Sequence, residues 1–140
     1  MDKEFLTGWT TIEQSKALVE AGLNPDTADM YYSAYITYAN GKPIKEKPEY
    51  GLQAWPYKDR SSMIVGFTKV DYVPCWTLGK LIDSMPRKPF ISENTGDWFV
   101  QFDTDHEHEQ QFSNKILINA VYEAFKWLLE NGYGKVEKKG

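Results

Sequence analysis

The feature that most constrains this chain lies near its C-terminus. Between Phe112 and Leu129, apolar side chains such as Ile116, Leu117, Val121, Phe125 and Leu128 recur at helical spacing. Only Lys115, Asn119, Glu123, Lys126 and Glu130 form a polar stripe. At about 100° per residue the apolar set fills roughly 240° of the circumference. An ordinary surface helix shows a narrower arc. This helix must therefore be covered on two sides, inside the domain or against a partner. Thr104-Asp-His-Glu107 has the pattern of a capping box, and Gly132 suits a C-terminal stop. The sequence thus predicts one long helix over 105–131.

The remaining elements follow from local signals. Thr10 and Glu13 read as a capping box for a first helix, with Ile12, Ser15, Leu18, Val19 and Leu23 on one face. Gly22 and Asn24-Pro25 stop it. Residues 30–38 alternate as a half-buried strand, with Met30, Tyr32, Ala34, Ile36 and Tyr38 on one side. Asn40-Gly41 is a hairpin turn, and Pro43 confines any return strand to an edge. Residues 40–62 form a long loop that either has a job or hides a short strand. Met63–Phe67 reads as a strand that could run on to Val73, with Gly66 at a bulge or a close approach. Thr77 caps a second helix through Leu78, Leu81, Ile82 and Met85, which Pro86 ends. Trp98–Phe102 is a further strand. The fold class is α+β: a small, mostly antiparallel sheet of about three to four strands, packed by three helices of which the C-terminal one is longest.

The chain has 140 residues, enough for one domain, taken as 1–134 with a frayed tail at 135–140. Aromatic residues make up 15%, a rich supply of burial for so short a chain. No apolar run approaches the roughly 20 residues of a membrane span. Met1-Asp2-Lys3-Glu4 is not the opening of a secretory signal. The single cysteine, Cys75, excludes an internal disulfide and points to a reducing, cytoplasmic setting. The net charge is −4, a poor match to phosphate neutralisation. Residues 31–69 are mildly basic, but their lysines alternate with acids and prolines as in a solvated loop. Neither nucleic acid nor a membrane is expected as a partner.

Four groups could carry chemistry. Asp103, Asp105, His106, Glu107, His108 and Glu109 offer metal-ligating side chains, but acids in a first helical turn complement the dipole and the two histidines would point apart. No metal and no cofactor is expected. Cys75, just before a helix N-terminus, could be an activated nucleophile or a small core residue. Asp26 and Asp29 could form an acid–base pair or close a turn. Tyr31, Tyr35, Trp55, Tyr57 and Trp76 form an aromatic set suited to an interface or a stacking pocket, or to plain burial. No Gly-rich phosphate loop, nucleophile elbow or zinc signature is present.

Three stretches carry a resemblance. Thr27–Tyr32, Pro74–Pro86 (Pro-Cys-Trp-Thr-Leu-Gly-Lys-Leu-Ile-Asp-Ser-Met-Pro) and Ala124–Tyr133 cover about a fifth of the chain. They resemble a family of small uncharacterised proteins of gut bacteria, their phages and mobile elements. The resemblance implies an intracellular accessory protein, phage or prophage encoded, and carries no functional residue over. The expected function is a non-enzymatic binding module that uses the aromatic surface. The alternative is a small-molecule or nucleotide-binding protein, or an enzyme, with a Tyr/Trp pocket near 103–109. The wide apolar arc of the last helix predicts a homodimer centred on Ile118, Tyr122, Phe125 and Leu129.

Overall fold

Capping decides where the first helix begins. In the computed structural model, which describes residues 8–45, 47–103 and 109–133, helix α1 spans Ile12–Ala21 with Thr11 as its N-cap. Thr11 Oγ1 accepts the Gln14 N–H and the Gln14 side chain accepts the Thr11 N–H, both at 3.0 Å. The box therefore sits one residue later than Thr10 and Glu13. Thr10 is fully buried and bonded to Trp76, so it is not free to cap. Gly22 closes α1 at φ 121°, with its N–H on the Leu18 and Val19 carbonyls. A 3₁₀ turn at Pro25–Thr27 follows, capped by the Asn24 side chain.

The first sheet is built on two long strands. Strand β1 (Met30–Ala39) pairs antiparallel with β5 (Thr68–Cys75), Tyr32 opposite Val73 and Thr37 opposite Thr68. Asn40 and Gly41 both take positive φ, 56° and 79°, which makes the tight hairpin turn that leads into β2 (Lys42–Pro43). The long loop does hide a strand: β3 (Gly51–Gln53) pairs with β1 beside β2. The run from Met63 to Val73 is two strands. Gly66, at φ 63°, turns the chain between β4 (Met63–Val65) and β5, so it marks a hairpin turn and not a bulge. Across the sheet the order is β2-β1-β5-β4, with β3 also on β1.

The second sheet is β6-β7-β8, all antiparallel. Its strands are β6 (Phe90–Asn94), β7 (Asp97–Asp103) and β8 (Glu109–Asn114). Trp98, Val100 and Phe102 share one face, as alternation requires. Residues 109–114 are strand, not the opening turns of the last helix. Phe112 lies opposite Val100 in β8, and its ring meets Phe102 at 6.2 Å and Trp127 at 6.5 Å. That aromatic packing outweighs the good helix propensity of Glu-Gln-Gln. The capping pattern at 104–107 and the tail at 135–140 lie outside the described residues.

Helix α2 (Leu78–Asp83) is capped by Thr77, as expected. Helix α3 (Leu117–Glu130) is the longest of the three. The fold is α+β, with more strands than the sequence suggests. One core joins α1, α2, α3 and the second sheet through Leu18, Trp76, Leu81, Val121, Phe125 and Leu128. The two-sided cover that α3 needs is therefore present within the chain. Ile118 and Phe125 are buried in this core, and Tyr122 and Leu129 are half-buried against it.

Leu81 is completely buried, whereas Ile82 is only partly covered. Leu81→Ala should cost about 2–5 kcal/mol in urea unfolding. Ile82→Ala should cost clearly less. Equal effects, or a Leu81 loss under about 0.5 kcal/mol, would contradict this packing.

Candidate functional site

The five aromatic residues of the candidate set do not converge. Trp76 is wholly buried at the β5–α2 junction, and its indole N–H donates to Thr27 Oγ1 at 3.0 Å. Tyr31 is buried edge-on against Tyr72, with centroids 5.5 Å apart, and the Arg60 guanidinium lies 4.5 Å over its ring. Tyr57 is half-buried, and its hydroxyl is pushed above its ordinary pKa by burial. Only Tyr35 and Trp55 are exposed. The Tyr/Trp set thus lines no common pocket.

The polar candidates have structural partners. The Asp29 carboxylate accepts the Thr77 N–H at 3.0 Å and the Thr77 hydroxyl at 2.6 Å, so it braces the cap of α2. Asp26 sits in the first turn of the 3₁₀ segment and is exposed. Cys75 is fully buried, and its thiol donates to the Thr10 carbonyl at 3.4 Å. Burial pushes the Cys75 thiol up to about 11, the opposite of an activated nucleophile. The side chains of Asp103 and Glu109, and residues 104–108, lie outside the described residues. Among the described residues no group of three or more metal-ligating side chains is present.

What the structure does expose is the far end of the first sheet. Burial falls along both long strands with distance from the core. On β5, Val73, Pro74 and Cys75 are buried, while Thr68 and Lys69 are half-covered. On β1, Tyr31 and Ala34 are buried, while Tyr35, Thr37 and Ala39 are exposed. Around this end stand Tyr35 at 75% exposure, Ile64 at 75% and Phe67 at 79%, with Ile44, Met63 and Val65 also exposed. Two shallow grooves flank them. Tyr35, Ile44 and Pro48 line one, and Tyr38, Ile64 and Phe67 the other. The sequence signal at 63–67 is an apolar, β-prone run, which reads as a strand without revealing that all five residues stand exposed.

A partly exposed network helps to hold this end in shape. Asp71 on β5 accepts from the Tyr50 hydroxyl on one side and the Ser62 hydroxyl on the other, each at 2.6 Å. It thereby ties the segments flanking β3 and β4 to the centre of the sheet. Burial disfavours the ionised carboxyl, but these two hydroxyls, with Lys69 and Lys16, outweigh it and hold Asp71 below its usual value. Burial and the same carboxylate push Tyr50 up to about 12.

A carboxyl with a depressed folded pKa stabilises the fold above its unfolded pKa of about 3.9 and loses that contribution as pH falls through the folded value. The wild type should therefore lose stability between about pH 4 and pH 2 more steeply than Asp71→Asn. Urea midpoints across that range check this, and parallel profiles would contradict it.

No protein-family model matches the chain, and comparison with curated proteins and with solved structures gives no match either.

Proposed function

We propose that this chain is a non-enzymatic binding module, and that it holds a protein partner on the apolar far end of its first sheet. The observation that carries the reading is the set of six large exposed apolar side chains at that end: Tyr35, Met63 and Val65 on one face, Ile64 on the other, and Ile44 and Phe67 beside the hairpin turns. So many large apolar side chains left exposed at one end of a small protein mark an interaction site. Tyr35 comes from the aromatic set that the sequence singles out. The rest of that set serves the core or, like Trp55, stands exposed elsewhere in the long loop. Two shallow grooves, one bordered by Lys45 and Glu49 and the other by Lys69, suit a protein better than a small ligand, which needs an enclosing pocket. Cys75, unactivated and bonded to Thr10, gives no reason to assign catalysis. The same reading takes the protein as an intracellular accessory factor; no helix among the described residues is long and apolar enough to cross a membrane.

The test is affinity capture from the native cells, comparing the wild type with a Tyr35→Ser/Phe67→Ser double variant. Both positions are mostly exposed, so thermal stability should hardly change. Loss of two aromatic anchors should weaken partner retention at least about 30-fold, while Trp55→Ser keeps it. Equal retention by the double variant would refute the assignment of this surface.

A further inference from the structure

The edges of the sheets are not guarded alike. A sheet edge presents unpaired N–H and C=O groups, and natural proteins block it with Lys, Pro, charge or a bulge. The β2 edge of the first sheet is Lys42–Pro43. The β6 edge of the second follows Lys88-Pro89 and carries Glu93. The β4 edge is Met63-Ile64-Val65, exposed at all three residues and without any such guard.

The backbone of β4 is set to accept another strand. Its hairpin closes through the two-residue turn Gly66-Phe67, with Val65 opposite Thr68. The closing pair of such a hairpin directs its N–H and C=O inward. By alternation, Ile64 directs its own N–H and C=O away from β5.

We propose that β4 pairs antiparallel with β4 of a second copy of this chain, across a two-fold axis at Ile64. In that register Met63 meets Val65 of the other copy and Ser62 meets Gly66 at the start of the turn. No like charges oppose, because residues 61–68 carry none. The nearest charge on β5, Lys69, lies opposite Ile64 one strand inward. The two copies of Lys69 are then three strand spacings apart, about 14 Å, beyond the screening length of about 8–10 Å at physiological salt. Self-compatibility of this kind is what a two-fold pair requires and a different partner strand does not. A single Lys or Glu at the axis would have repelled its own copy while leaving a foreign strand free to bind. The pairing makes one antiparallel sheet across both copies and covers Met63, Ile64 and Val65. The inference rests on reading the far end of the sheet as a binding surface, but it is measured on the purified protein alone, so its failure is separable from that of partner capture.

Light scattering after size exclusion should give twice the chain mass of 16.2 kDa at about 100 µM. Ile64→Lys, at a mostly exposed position, should give the single-chain mass with an unchanged melting temperature. Ile64→Cys should cross-link to its own copy under mild oxidation, because the paired residues lie within disulfide reach at the axis. Phe90→Cys, just as exposed but on β6, should not, and Cys75 is too buried to compete. A wild type of single-chain mass, a dimer that survives Ile64→Lys, or equal cross-linking at residues 64 and 90 would overturn the pairing. A monomer that still captures a protein through Tyr35 and Phe67 would leave the binding surface standing and remove only the second copy from it.

Discussion

The buried meeting of Thr10 with Trp76 organises the whole chain. Thr10 donates its N–H to the Trp76 carbonyl at 3.0 Å, and Trp76 returns its N–H to Thr10 Oγ1 at 3.1 Å. The same hydroxyl lies 2.8 Å from Ser15 Oγ in α1. The Thr10 carbonyl accepts from the Tyr32 hydroxyl of β1 at 2.6 Å and from the Cys75 thiol of β5 at 3.4 Å. On the far side the Trp76 indole reaches Thr27. One turn on, Leu78 donates to the Gly8 carbonyl at 2.9 Å. Two residues thus bind α1, the 3₁₀ turn, both long strands and the start of α2. Thr10, Ser15, Cys75 and Trp76 are all completely buried, so every polar atom among them must find its partner inside.

That constraint explains why the molecule is anchored at one end and open at the other. The node fixes the Met30 and Cys75 end of the first sheet to the core shared by the three helices and the second sheet. Among the described residues no comparable node covers the Thr37 and Thr68 end, which is held by its own hairpin turns, by strand pairing, by the Thr37–Thr68 hydroxyl contact and by the Asp71 bridges to Tyr50 and Ser62. The sheet therefore projects its apolar end from a rigid base. Rigid presentation lowers the ordering cost of association, which is what a small binding module needs.

Much of this was legible where local chemistry and tertiary demand agree. The Thr77 cap with Leu78 and Leu81, the alternation of β1, and the positive-φ turn at Asn40-Gly41 all appear where the residues point. The first helix also appears, but its cap moves by one residue because Thr10 serves the buried node, a use that no local pattern reveals. Residues 109–114 were illegible for the opposite reason. Glu-Gln-Gln at 109–111 favours a helix locally, yet pairing with β7 decides the outcome by placing Phe112 against Phe102 and Trp127. The candidate site divides in the same way. Tyr31 and Trp76 are drawn inward by partners distant in sequence. Met63 to Phe67 are apolar and β-prone in one dimension, yet stand exposed because none of the described elements crosses them.

The most direct measurement is urea unfolding of Thr10→Val, which keeps the side-chain shape and removes only the hydroxyl. It leaves the buried Trp76 N–H without its acceptor and Ser15 without its partner. We expect a loss of about 1–3 kcal/mol, the cost of stranding buried polar groups, together with a larger effect than Thr11→Val at the neighbouring exposed cap. A change below about 0.5 kcal/mol would contradict the claim that this node holds the fold together.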